Sequence, residues 1–287
     1  MNRQRKIGFM ASLDFKTWKA ESIIKALSSL GYVGVEWTLS HFNPRNKNEK
    51  ELLELVELCH AYKMEISGVA VQQDYVTLDD NIRRDRIDLT KEVIKAASRV
   101  GIKVLNVYTG PAAEDPKALR IPKDITEEKA WNLVLEAYNE IVEVAEKEKI
   151  YLAVEAVFNQ LCHDYYTLKE LLNSINSKYL AVNMDPSHYY LYGNDIIWVV
   201  KKLSTKIKHV HIKDAIGKPG IMGVDFIFPL IGEGGIDWKG FINALDAIEY
   251  DGFLSIEFES FNYYNNILRR DPVKAAEISL ELFKKVI

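Results

Sequence analysis

The chain has 287 residues, of which 48% are hydrophobic and 27% charged, a composition that excludes disordered, collagen-like and membrane-embedded classes. Its formal net charge of −4 excludes the basic footprint of a protein that grips nucleic-acid phosphates. Two cysteines, Cys59 and Cys162, are too few for a disulfide framework and suit a reducing compartment. The opening "MNRQRKIGFM" is basic, but the apolar stretch behind it is short of the ~7–15 residues of a secretion signal. No run approaches the ~20 apolar residues of a membrane span, so a cytoplasmic protein is expected.

Short β-rich runs alternate with longer amphipathic stretches along the whole chain. "IGFM" (7–10) is the first strand candidate. In "ESIIKALSSLG", Ile23, Ile24, Leu27 and Leu30 form one helical stripe, and Gly31 stands where a helix-ending glycine belongs. "YVGVEW" (32–37) reads as the second strand, and "NEKELLELVELCHAYK" repeats the stripe through Leu52, Leu55, Val56 and Cys59. "EISGVAV" (65–71) and "KVLNVY" (103–108) follow as strands. "EEKAWNLVLEAYNEIVEVAEKEK" is the longest and clearest helix and leads into "YLAVE" (151–155). "LAVNMD" (180–185), "IKHVHI" (207–212) and "FLSIEF" (253–258) complete the strands. Between the last two lies an extra glycine-rich loop, "DAIGKPGIMGVDFIFPLIGEGGIDW" (214–238). The final helix, "DPVKAAEISLELFKKVI", starts with Asp271 as cap and Pro272 at its first position. Eight strands, each followed by a helix, predict an α/β fold: a closed (β/α)8 TIM barrel occupying residues 1–287 as one domain. A doubly wound open sheet would carry a glycine-rich phosphate turn after the first strand, and "GFMASLDFK" has none.

In such a barrel the chemistry sits at the C-terminal ends of the strands. The fifth ends in Glu155, the sixth in Asp185, the seventh carries His209 and His211, and the eighth carries Glu257 and Glu259. Alternation puts His209, His211 and Lys213 on one face of their strand, and Ser255, Glu257 and Glu259 on one face of theirs. Singly, each has an ordinary reading. Asp185, in "AVNMDPSHYY", is a turn former before proline, and Glu257 a partner for a lysine. Jointly those readings fail, because polar groups converging at a barrel mouth repel or stay desolvated without a cation. Three oxygen donors and one imidazole suit a divalent ion such as Mn2+, Mg2+ or Co2+, with room left for substrate.

The motifs "YLAVEAVFN", "NMDPSH", "HVHIKDA", "GEGGIDW" and "YDGFLSIEFES", in that order, resemble the xylose isomerase-like barrel superfamily. Within it they are most similar to the sugar (phosphate) isomerase/epimerase branch, with its ketose 3-epimerases and inosose-processing enzymes. "GYVGVEW" is a weaker N-terminal match. The resemblance implies one divalent ion held by Glu155, Asp185, His211 and Glu257, with Mn2+ taken ahead of Mg2+, Co2+ or Zn2+. It implies that Glu155 and Glu257 are the catalytic acid and base, moving a proton next to the carbonyl of a keto-sugar or cyclitol through an enediolate. His188 matches a substrate contact in the epimerases and a metal ligand in the related apurinic endonucleases. Lys213, Glu36, Trp37 and His209 are further candidates for substrate binding, with His41 nearby in sequence and Trp238 as a second apolar wall. The resemblance also implies a small-molecule partner and a homodimer or homotetramer, while the charge predicts no nucleic acid and the lack of a long apolar run predicts no membrane.

The chain departs from the ketose 3-epimerase pattern at Leu161, where those enzymes carry a second glutamate, and at Gly217, where they carry an arginine. Lys213 is the candidate replacement for polar recognition. A dehydratase of an inosose or keto-sugar would use the same metal site and is the alternative. An apurinic endonuclease would need histidines after the third and fourth strands, and "GVAVQQDY" and "LNVYTGP" have none. A non-catalytic sugar-binding barrel predicts decayed ligands, whereas all four stand. The glycines of "IGEGGIDW" leave a phosphate-binding loop open.

Overall fold

A computed structural model describes residues 5–112 and 115–287. Strand β1 (Lys6–Met10) leads through a short 3-10 turn to helix α1 (Ala20–Leu30). The stripe residues Ile23, Ile24 and Leu27 of α1 are buried, and Gly31 ends the helix at a φ of 98°, which glycine adopts without strain. After β2 (Gly34–Thr38), helix α2 (Glu49–Ala61) starts in a reciprocal cap: Asn48 accepts the Glu51 N–H, and Glu51 accepts the Asn48 N–H. β3 (Glu65–Val71), α3 (Asp80–Arg99), β4 (Val104–Val107), α4 (Glu127–Glu148), β5 (Tyr151–Glu155) and α5 (Tyr165–Ser174) continue the alternation. β6 (Leu180–Met184) is followed by two helices, α6 (Pro186–Leu191) and α7 (Ile196–Leu203). Between β7 (Ile207–Ile212) and α8 (Trp238–Ala247), the glycine-rich loop folds into a small antiparallel ribbon, β8 (Ile216–Gly217) and β9 (Phe226–Ile227). β10 (Phe253–Ile256), α9 (Phe261–Asn266) and α10 (Pro272–Val286) close the chain, with Asp271 capping α10 through the Val273 and Lys274 N–H groups.

Eight parallel strands close into a barrel in the order β1, β2, β3, β4, β5, β6, β7, β10. This is the expected (β/α)8 architecture. Strand alternation divides the residues cleanly. Val35, Trp37, Leu105, Val107, Val154, Val182, Val210, Ile212 and Ile256 belong to the core shared with the helices. Their neighbours in sequence point inward, and many are polar and buried: Glu36, Asn106, Glu155, Asn183, His209, His211 and Ser255. Contacts between strands that are not adjacent establish this. Ser67 on β3 meets Ser255 on β10 at 3.2 Å, and Glu36 on β2 meets His209 on β7 at 2.9 Å. A barrel of this kind usually fills its interior with branched apolar side chains. Here the interior is a polar column leading to one end. No helix among the described residues is long and apolar enough to cross a membrane.

Candidate metal centre

β5, β6, β7 and β10 are neighbours in the barrel, and each delivers one group to a common point. Glu155 ends β5, Asp185 follows β6, His211 lies in β7, and Glu257 follows β10. One donor atom from each lies within 4.8 Å of all the others, and all four residues are buried. β6 stops one residue short of the expected limit because Asp185 turns into the cap of α6. Its Oδ1 accepts the Ser187 N–H at 2.8 Å, while its Oδ2 lies 3.0 Å from Lys213 Nζ. Forming the turn and facing the centre are therefore tasks of the two oxygens of one carboxylate.

The atoms that converge fit a metal ion. His211 Nε2 meets Glu36 Oε2 at 3.0 Å, so Nε2 carries a proton. Against its burial, the carboxylates of Glu155, Glu36 and Glu257 hold the ring charged, with its second proton on Nδ1, the nitrogen that a metal ion would take in that proton's place. Nδ1 stands 3.2 Å from both Glu155 Oε2 and Glu257 Oε2. His211 Nδ1 and Asp185 Oδ2 are buried and make no aligned hydrogen bond, although Lys213 Nζ stands 3.0 Å from Asp185 Oδ2 and two carboxylates stand 3.2 Å from Nδ1, so a cation at this point would complete both atoms. Three carboxylates and one imidazole nitrogen form a set able to hold one divalent cation.

The charges around this point are strongly coupled. Lys213 Nζ lies 2.6 Å from Glu257 Oε2, 2.9 Å from Glu259 Oε2 and 3.3 Å from His188 Nε2. Burial disfavours its ammonium, but Asp185, Glu257 and Glu259 outweigh that and hold its pKa well above the lysine range. Burial would likewise raise Glu155, yet the His211 charge, the His188 contact and Lys213 hold it well below the usual carboxylate range. Glu257 is lowered against its burial, chiefly by Lys213 and then His211. His188 Nε2 approaches Glu155 Oε1 at 3.3 Å. Glu36 and His209, which the sequence offered as substrate contacts, lie behind His211: Glu36 Oε2 joins both imidazoles, at 2.9 Å and 3.0 Å. Two supports escaped the sequence reading. Asn106 and Asn183 each donate to Glu155 Oε2 at 2.9 Å. A single asparagine inside "KVLNVY" and "LAVNMD" was the available signal.

A cavity of about 390 Å3 opens over the centre. Glu155, Glu257, Glu259, His188 and Lys213 line it, whereas Asp185 and His211 do not. Its apolar wall includes Phe158, whose ring meets Phe226 and Phe228 at centroid distances of 4.8 Å and 5.9 Å. Phe228 stands edge-on to the His188 ring and lies 4.7 Å from Lys213 Nζ. The tryptophans lie elsewhere. Trp37 packs in the layer between barrel and helices with its ring 4.9 Å from His41, and Trp238 packs on Phe241 and Phe283. Leu161 is buried, and Gly217 belongs to the ribbon strand β8.

The glycines of "IGEGGIDW" wrap a carboxylate of the chain itself. Asp214 Oδ2 accepts from Gly232 N at 2.9 Å, Gly234 N at 3.1 Å and Trp238 Nε1 at 3.0 Å. Its Oδ1 accepts from Ala215 N at 2.9 Å and Ile236 N at 3.2 Å. A Cβ on Gly234 would fall 2.0 Å from Asp214 Oδ1, so only glycine allows this approach. The anion cradle that the sequence left open holds Asp214.

The sequence pattern of the family described as "Xylose isomerase-like TIM barrel" matches residues 24–286. The inosose dehydratase of Clostridium perfringens is 24% identical over 150 residues, 48% of this chain and 50% of that protein. Among solved structures, the IolI protein with a bound zinc atom superposes with a TM-score of 0.76 at 18% identity, covering 98% of this chain and 97% of the other. A D-tagatose 3-epimerase-like protein gives 0.73 at 23% identity, covering 98% of each chain. At these identities the structural likeness shows the shared barrel.

Proposed function

The chain belongs to the xylose isomerase-like TIM barrel family, and on that footing we propose that it is a metal-dependent sugar isomerase or epimerase. It moves a proton next to the carbonyl of a keto-sugar or cyclitol. One observation carries this reading: of the four converging ligands, only Glu155 and Glu257 also line the cavity. The pair that faces the ion thus also faces the substrate. A bound divalent ion, Mn2+ ahead of Mg2+, Co2+ or Zn2+, supplies electrophilic stabilisation of negative charge on the substrate oxygen. Both carboxylates are held below their ordinary range and stand ionised at neutral pH, ready to accept a proton. Asn106 and Asn183 fix Oε2 of Glu155, and Lys213 fixes Oε2 of Glu257, so each is aimed before substrate arrives. One removes the proton and the other returns it on the opposite face, which inverts the carbon. His188 and Lys213 bind the substrate's hydroxyls. A cytoplasmic homodimer or homotetramer is part of the same proposal.

A dehydratase is the second reading, favoured by the similarity to inosose dehydratase and by Lys213. Loss of a hydroxyl is helped by a positive charge beside it, and the Lys213 ammonium, held charged by its carboxylate neighbours, lines the cavity 2.6 Å from Glu257. Incubation of the Mn2+-loaded protein with keto-sugars and inososes in D2O separates the readings. An epimer carrying deuterium next to its carbonyl identifies the epimerase, and a product short of one water identifies the dehydratase. Glu155→Gln and Glu257→Gln should each slow exchange by about 10²–10⁴-fold. Exchange at the wild-type rate in both variants would refute the assignment.

A further inference from the structure

A second cavity of about 1060 Å3 continues from the first, and the two share Ala112, Asp115, Phe158 and Gln160 in their walls. The chemistry changes along this space. Around the centre the walls are charged; in the outer groove they include Leu119, Ile121, Tyr192, Ile221, Met222 and Phe261. His163 and Tyr192, both half-buried, stack there with centroids 4.5 Å apart and planes 31° apart, giving a broad aromatic face. Ile221 is 67% exposed, apolar surface left in water at the groove's edge. A pocket of about 300 Å3 or more already accommodates a small molecule, so a free monosaccharide leaves the larger, apolar half of the space unused. Phosphate does not suit it either. Arg120 is the one lysine or arginine among its described lining residues, against Asp115 and Glu127, and the N–H cradle of residues 232–238 holds Asp214.

We infer that the sugar ring handled at the metal centre carries a second, apolar or aromatic group seated in this groove. The substrate is a keto-glycoside with an aryl or alkyl aglycone, not a free or phosphorylated sugar. The inference rests on the sugar-handling reading of the centre. Its test is proton exchange by the Mn2+-loaded protein on matched sets built on an aldose that carries its ketone at a non-anomeric carbon: the free keto-aldose, its 6-phosphate and its phenyl glycoside. At least one phenyl glycoside should exchange with a kcat/KM about tenfold or more above its free sugar, the phosphate gaining nothing. Ile221→Asp and, separately, Tyr192→Ala should pull the glycoside-to-free-sugar ratio toward one.

Equal handling of glycoside and free sugar, or a preference for the phosphate, would overturn the inference and leave the centre's reading standing. The groove loses its aglycone equally if both variants keep the ratio and the wild-type melting temperature. It loses it too if Ile221→Asp turns a dimer into a monomer without moving the ratio, which assigns that surface to a second copy of the chain. Metal bound but no exchange on any member of the sets would remove the reading of the centre, and this inference with it.

Discussion

Asp214 touches no ligand of the centre, yet it organises one side of the rim. Five N–H donors converge on its carboxylate, and removing it would orphan all five. Asp214→Ala should destabilise the fold by about 3–5 kcal/mol in urea unfolding, and a loss under about 1 kcal/mol would contradict the cradle. Glu36 plays a comparable part behind His211, since its Oε2 holds the Nε2 atoms of both His209 and His211. Glu36→Gln should weaken Mn2+ binding about 10–100-fold in titration calorimetry, and unchanged affinity would show that His211 needs no carboxylate behind it. At this scale the four converging side chains were legible because a charged residue closing an apolar strand stands out in sequence. The supports were not. Which residue backs His211, and that two asparagines share one oxygen of Glu155, depends on strands brought together only when the barrel closes.

The elements themselves were the most legible part. Short β-rich runs placed all eight barrel strands to within about two residues at each end, the residual set by side-chain roles that such runs do not register. β10 ends at Ile256, although the Glu257 N–H still donates to the Ile212 carbonyl. Less legible was the 214–238 loop, whose ribbon hydrogen bonds leave no periodic trace in so short a stretch. Charge pairing between helices has consequences of its own. On the faces of α3 and α4, Glu140 accepts from Arg84 at 2.7 Å and from Lys91. Arg84 first, and Lys91 with it, outweigh burial and pull the Glu140 carboxyl down to about 2. A depressed folded-state pKa stabilises above the unfolded value, near 4.5, and that contribution fades as pH falls from there toward 2. Because the pair is partly exposed, Glu140→Gln should cost under about 1 kcal/mol at pH 7. The difference in urea midpoint between variant and wild type should shrink steadily below pH 4.5. A difference that grows on acidification would reverse the sign.

Over the whole molecule, the barrel converts ordinary strand alternation into function. Apolar residues face the helices and stabilise the fold, while their inward neighbours form a polar column ending in a cluster of carboxylates and imidazoles. Fold class was legible from the count of alternating elements, and the outer groove was not, because its walls come from loops distant in sequence. The central claim is that this cluster binds one divalent ion and moves a proton. The most direct test is deuterium incorporation from D2O into a keto-sugar or keto-glycoside, with Mn2+ content measured on the same sample. One ion per chain, and exchange that stops on chelation and resumes with Mn2+, is the predicted result. No bound ion under saturating Mn2+, or exchange that survives chelation, would contradict it.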